Sequence, residues 1–155
     1  MTLAAFTKKR LCVFIILATV CLVFSSLTFA AEYVSVKKDN VNIRTGPGTK
    51  NPVSMELFSG YPLKVLKRQG EWIKIADFEN DSGWIHNSLV TKGDTVIINA
   101  KKSVNMRSGP STKSSIVADI ERGVVLTRIS RKGKWTQVRH SGGAVGWVYS
   151  PLIWP

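Results

Sequence analysis

The chain has 155 residues, with 22 Lys and Arg against 10 Asp and Glu and a formal net charge of +12. This length admits one domain or two small ones, and so large a basic excess draws a protein toward anionic partners. Cys12 and Cys21 are the two cysteines; both lie near the start, so residues 31–155 hold neither a disulfide framework nor a thiolate metal site.

Lys8, Lys9 and Arg10 precede an uncharged run from Leu11 to Phe24, and Thr28-Phe29-Ala30 then offers small residues at the −3 and −1 positions of a cleavage site. That order is the pattern of a secretory signal peptide, residues 1–30. The run of 14 residues is shorter than the roughly 20 a membrane-spanning helix needs. A retained anchor stretched to Ala31 is the alternative, and the one route by which the chain would meet a membrane. Cys21 also raises an acylated lipoprotein, but Val20 before it is bulky where such sites carry a small residue. Without Lys8, Lys9 and Arg10, 19 basic residues face 10 acidic ones, a net charge of about +9. Export to the periplasm or beyond the cell removes nucleic acid as a partner. Phospholipid headgroups, lipopolysaccharide or wall polymers remain as anionic ones.

From Tyr33 onward the apolar stretches are short and rich in β-branched and aromatic residues: Tyr33–Val36, Pro62–Leu66, Trp72–Ile75 and Gly83–Ile85. These are strand lengths. Gly46-Pro47-Gly48, Ser59-Gly60, Gln69-Gly70 and Asn80-Asp81-Ser82-Gly83 supply turns between them. The chain then repeats itself at a shift of 63 residues. Val41-Asn42-Ile43-Arg44-Thr45-Gly46-Pro47 meets Val104-Asn105-Met106-Arg107-Ser108-Gly109-Pro110, Trp72 meets Trp135, and Gly83-Trp84 meets Gly146-Trp147. Apolar positions and glycines match while surface residues drift, as expected of two copies of one structural unit. The expectation is an all-β chain of two tandem units, 31–92 and 93–155, with no helix of ten or more residues; Ser114–Arg122 is the one stretch suited to a short helical turn.

The doubled Asn-x-Arg-x-Gly-Pro, followed in each copy by Gly-x-Trp (Gly70-Glu71-Trp72, Gly133-Lys134-Trp135) and by Gly-Trp, resembles the bacterial SH3 domain family over nearly all of residues 31–155. The resemblance implies two small, partly open SH3-like β-barrels of five strands each. It also implies a targeting or ligand-binding role at the cell envelope, in a family often appended to peptidoglycan hydrolases.

Chemistry fares poorly by comparison. A cysteine peptidase needs a thiolate paired with histidine, and residues 31–155 contain no cysteine. His86 and His140 occupy non-equivalent positions of the two copies without a local nucleophile motif. Neither these histidines nor the acids Asp77, Glu79 and Asp81 have metal-ligand spacing. No catalytic residue, metal or cofactor is therefore expected.

Ligand-contacting residues are sought among aromatics and cations. Trp72, Trp84, Trp135 and Trp147 read first as core or barrel-closing groups, with Trp84 and Trp147 kept as contact candidates. His86 and Tyr149 follow the Gly-Trp pair and differ between copies. Trp154 either lines a groove or packs across an open barrel end. Arg44 and Arg107 read as loop locks that bind backbone carbonyls, ahead of anion recognition. Residues 32–92 carry a net +2 and residues 93–155 a net +7, and a hairpin about Gly133 would gather Arg128, Arg131, Lys132, Lys134 and Arg139. Arg131, Lys132 and Lys134 are the cationic candidates. The partner is then peptidoglycan or another envelope polymer, with an envelope protein as the rival.

Overall fold

The computed structural model describes residues 30–155; the segment holding Lys8, Lys9, Arg10, Cys12 and Cys21, and with it the signal-peptide expectation, lies outside them. The described residues are all-β. The first copy contributes β1 (Tyr33–Val36), β2 (Val41–Arg44), β3 (Val53–Leu57), β4 (Pro62–Gln69), β5 (Trp72–Ala76), β6 (Ser82–His86) and β7 (Val90–Lys92). The second contributes β8 (Thr95–Ile98), β9 (Val104–Arg107), β10 (Ile116–Ile120), β11 (Val125–Lys132), β12 (Trp135–Arg139), β13 (Val145–Tyr149) and β14 (Ile153–Trp154). Two short 3₁₀ turns, Asn87–Leu89 and Ser150–Leu152, precede β7 and β14.

Each copy forms one antiparallel sheet, ordered β3-β2-β6-β5-β4-β1-β7 and β10-β9-β13-β12-β11-β8-β14. The end strands of each sheet are not bonded to each other, which leaves a partly open barrel. Each sheet has seven strands where the resemblance implies five; the short β7 and β14, added to the edges of β1 and β8, supply one of the two extra strands in each copy. Ser114–Arg122 is a strand rather than a helical turn: Ile116–Ile120 pairs with β9 around a bulge.

Strand alternation decides which side chains enter the core. Val41 and Ile43 of β2, Ile73 and Ile75 of β5, and Ile85 of β6 point inward and are fully buried. Val104, Met106, Val138 and Val148 repeat this in the second core. In Trp72-Ile73-Lys74-Ile75 the isoleucines occupy the inner face, so Trp72 must lie on the outer one. All four repeated tryptophans are half-buried and belong to neither core, contrary to their reading as core groups.

The Gly-Trp pairs mark the closest approach of strands. A Cβ on Gly83 would fall onto Ile43 Cγ2, and one on Gly146 would stand 2.5 Å from Met106 Cγ and 2.9 Å from the Arg107 carbonyl oxygen. Arg44 Nη1 donates to the Asn51 carbonyl at 2.7 Å and Arg107 Nη1 to the Ser114 carbonyl at 2.9 Å. The repeated arginines therefore lock the Gly-Pro loops, as the sequence suggests. The acidic turn is also structural. Buried Asp77 accepts from the backbone N–H groups of Glu79 and Asp81 and from the Tyr61 hydroxyl. Burial, reinforced by Asp77, pushes the Tyr61 phenol up.

The two sheets share a boundary built on β8, whose Val96, Ile97 and Ile98 are all 0% exposed. Val96 and Ile98 enter the second core, while Ile97 faces the other way and belongs to the first. Val125 and Trp154 also pack against the first core, and Trp154 meets Tyr33 edge-on at 5.4 Å. At the rim, Thr95 Oγ1 donates to the Gly60 carbonyl at 2.6 Å; its single hydrogen is thereby used, so buried Ser35 donates to it at 2.7 Å. Arg122 lies 5.0 Å from the Phe78 ring centroid and pairs with Glu79 at 3.0 Å.

Ile97→Ala is expected to cost about 2–5 kcal/mol and to speed amide hydrogen exchange in β1 and β5, elements of the other copy; unchanged protection there would refute the shared strand. Gly83→Ala and Gly146→Ala should each cost about 1–3 kcal/mol in urea unfolding through overpacking. Gly133→Asn should cost less, since at φ +57° a Cβ meets nothing within 4 Å and Asn tolerates left-handed backbone.

Candidate functional site

Two of the concave sites on this scaffold gather residues singled out by sequence. The first, about 310 Å³, is a groove on the first barrel lined by Asn40, Asn42, Arg44, Thr49, Trp72 and His86, among others. Register pairs Trp72 with His86 across β5 and β6, which sets both rings on the outer face, centroids 5.4 Å apart and nearly perpendicular. The second copy repeats the pair as Trp135 and Tyr149 at 5.6 Å. In both copies the arginine-locked loop follows the strand, β2 or β9, that pairs with the Gly-Trp strand.

His86 has neighbours that sequence spacing did not reveal. Its Nδ1 lies 2.7 Å from Ser88 Oγ and accepts from the Ser88 backbone N–H at 3.3 Å, while Nε2 stands 3.5 Å from Glu71 Oε2. Ser, His and Glu thus converge, although the connection is that of a cap. Nδ1 is already engaged by the N–H that starts the 3₁₀ turn, and the Glu71 side chain is 79% exposed and so screened by water. His140 accepts from the Gly142 N–H at 3.0 Å, which closes the β12–β13 turn. Among the described residues no group of three or more His, Cys, Asp and Glu is placed to hold a metal ion.

The second site is a cleft of about 730 Å³ along the boundary between the copies, lined among others by Tyr33, Lys92, Arg128, Arg131, Lys134 and Tyr149. A β-bulge decides which cations reach it. Residues three apart on a regular strand face opposite ways, but the register slips between Arg128 and Ser130, so that Arg128 lies opposite Val138 and Arg131 opposite Thr136. Val138 and Thr136 share a face, and so therefore do Arg128 and Arg131. Lys132 lies opposite Trp135 on the outer face and does not line the cleft.

The residues singled out by sequence therefore separate. Arg131, Lys134 and Tyr149 come together in the cleft, and His86 stands in the first groove. Trp84 lies opposite Arg44 and Lys74, and Trp147 opposite Arg107 and Gln137; both face outward and line neither site. Trp154 packs against Tyr33 and the first core. Lys92 and Tyr33, which also line the cleft, were missed because they meet the hairpin only through the packing of one copy on the other; Thr136 lies on the hairpin itself, opposite Arg131. Alternation in Trp72-Ile73-Lys74-Ile75 already carried the signal for an outward Trp72.

The sequence profile of the bacterial SH3 domain matches residues 37–92 and 100–155. Two curated relatives are similar to the chain. The "Putative N-acetylmuramoyl-L-alanine amidase YrvJ" of Bacillus subtilis (strain 168) is 28% identical over 140 residues, 84% of this chain and 27% of the relative. The "Probable cell wall amidase LytH" of Staphylococcus epidermidis is 38% identical over 56 residues, 36% of this chain and 19% of the relative. The chain thus spans about a quarter of the first and a fifth of the second. Among solved structures, an NlpC/P60 family protein from Bacillus cereus ATCC 10987 aligns over 79% of this chain and 55% of its own, at 13% identity and a TM-score of 0.38. With both copies matched, from β2 to β7 and from β9 to β14, the chain belongs to the bacterial SH3 domain family.

Proposed function

We propose that this chain is an exported, non-catalytic binding module that attaches to the cell envelope by holding peptidoglycan or its stem peptides. In this reading residues 1–30 are removed on export, and residues 31–92 and 93–155 act as two binding units. One observation carries it: the same outward aromatic pair, Trp72 with His86 and Trp135 with Tyr149, recurs in both barrels. Aromatic faces rimmed by polar groups suit sugars and short peptides, since the ring buries apolar surface while its edge stays wet. The amidase names of YrvJ and LytH supply the wall as the address. The absence of cysteine from residues 31–155 and the capping role of His86 support binding without cleavage.

A second reading, an adaptor for an envelope protein, is favoured by the sheet edges. β3 and β10 are end strands with exposed Val53, Ile116 and Val117, and an unpaired edge of this kind accepts a partner's strand.

Protein expressed from Ala31 should be retained on protein-free sacculi in high salt. His86→Ala or Tyr149→Ala alone should weaken retention at least about tenfold and the two together abolish it, because linked sites gain from effective concentration. Retention that salt abolishes, or that the double variant preserves, would refute groove recognition; no retention, with capture of one defined envelope protein, would favour the adaptor.

A further inference from the structure

We propose that the cleft between the two barrels is a separate anion site, built for a polymer with phosphate groups repeated along its chain. It shares Tyr149 with the aromatic pairs proposed to hold the wall, but it rests on the cations alone, and its test varies only those. Lys92, Arg128, Arg131 and Lys134 line the cleft, and no acidic side chain does. None of the four makes an ion pair with an acidic side chain; the ion pairs among the described residues are Arg68–Glu32, His86–Glu71 and Arg122–Glu79. Arg128 uses Nη2 on the backbone oxygen of Pro155 at 2.8 Å, and Arg131 uses Nε on the Gly133 carbonyl at 3.3 Å. The rest of each guanidinium, and both ammonium groups, have no hydrogen-bond partner among the described residues. Asp94, next to Gly93 in sequence, is not part of the lining.

The repeat itself shows that this charge is particular to the second copy. At the 63-residue shift Glu32, Val65, Arg68 and Glu71 become Thr95, Arg128, Arg131 and Lys134. In the first copy Arg68 is neutralised by Glu32 at 2.5 Å. In the second, the position of that carboxylate is held by Thr95, whose hydroxyl is engaged with Ser35 and Gly60. Two acids are thus lost and two cations gained on an otherwise equivalent scaffold.

The ligand class follows from geometry. Guanidinium forks bind oxyanions in two-point fashion, while lysine acts as a point charge. Cations arriving from β7, β11 and the hairpin turn surround the cleft from several directions. A tetrahedral phosphate has oxygens to accept from more than one direction, whereas a planar carboxylate fills one fork. The volume exceeds that of a single ion, and a concave wall concentrates the field of the lining charges. The rings of Tyr33 and Tyr149 add apolar contact for whatever links the phosphates.

Calorimetric titration of the full chain with short-chain inorganic polyphosphate tests this, beside polyglutamate of equal charge. Two triple variants remove the same charge: Lys92→Gln/Arg131→Gln/Lys134→Gln in the cleft, and Lys101→Gln/Lys102→Gln/Lys113→Gln outside it. The cleft variant is expected to lose at least about tenfold in affinity, the outer one less than about twofold, and polyglutamate to bind at least about tenfold more weakly. Polyphosphate should also shield Lys92 and Lys134, but not Lys101 and Lys102, from acetylation in the unaltered protein, a readout independent of how the variants fold. No binding by the unaltered protein, equal losses in both variants, equal affinity for polyglutamate, or equal shielding of all four lysines would overturn the proposal.

Discussion

The structure depends on one strand buried on both faces. Apolar residues in succession are common in parallel sheets covered by helices on both sides, but in an antiparallel barrel one face normally meets water. In β8 neither does. Val96 and Ile98 fill the barrel that contains them, and Ile97 fills the one before it. Burying an isoleucine side chain is worth about 1.5–3 kcal/mol, and β8 gains this in both directions. The same packing aligns Ser35, Thr95 and Gly60 at the rim, seats Trp154 against Tyr33 and leaves the cleft beside the junction. Two barrels joined only by a flexible tether would have the same cores and grooves, but no cleft of fixed shape.

Most of the fold could be read from residue patterns because it is local. Short β-branched runs, glycine turns and the 63-residue shift identify two all-β units, and the arginine locks follow from donor geometry in a tight loop. The tryptophans show where a pattern was present and outweighed. Large aromatics usually dominate small cores, yet alternation with Ile73 and Ile75 sets Trp72 outside, and period is the stronger constraint in a strand. Lys132 shows the opposite case. Alternation alone parts it from Arg131, but the bulge at Ile129 decides that Arg131, and not Lys132, shares the face of Arg128, and no local signal in Arg128-Ile129-Ser130-Arg131 announces the register slip. The cleft was illegible for a further reason: its walls come from segments that meet only through tertiary packing.

The two copies also show how a duplicated scaffold diversifies. Glycines at close approaches and inward isoleucines and valines are held by sterics, so Gly83 and Gly146 perform one task in the same surroundings. Outward positions at turns carry no such restraint. Glu71 and Lys134 follow equivalent hairpin glycines and bear opposite charge. His86 is held by Ser88, whereas Tyr149 precedes a turn that contains Pro151. One scaffold thus offers two differently charged faces while keeping its hydrophobic pattern.

A strand that serves two cores also changes what counts as a module. Exon-like shuffling treats a small barrel as a bead that can be cut out, copied or reordered. A break between Lys92 and Thr95 would instead leave a hole in the first barrel and strand Ile97 and Trp154 as an apolar patch on the second. The structural unit is the pair, and its two halves, though built on one template, are not interchangeable parts.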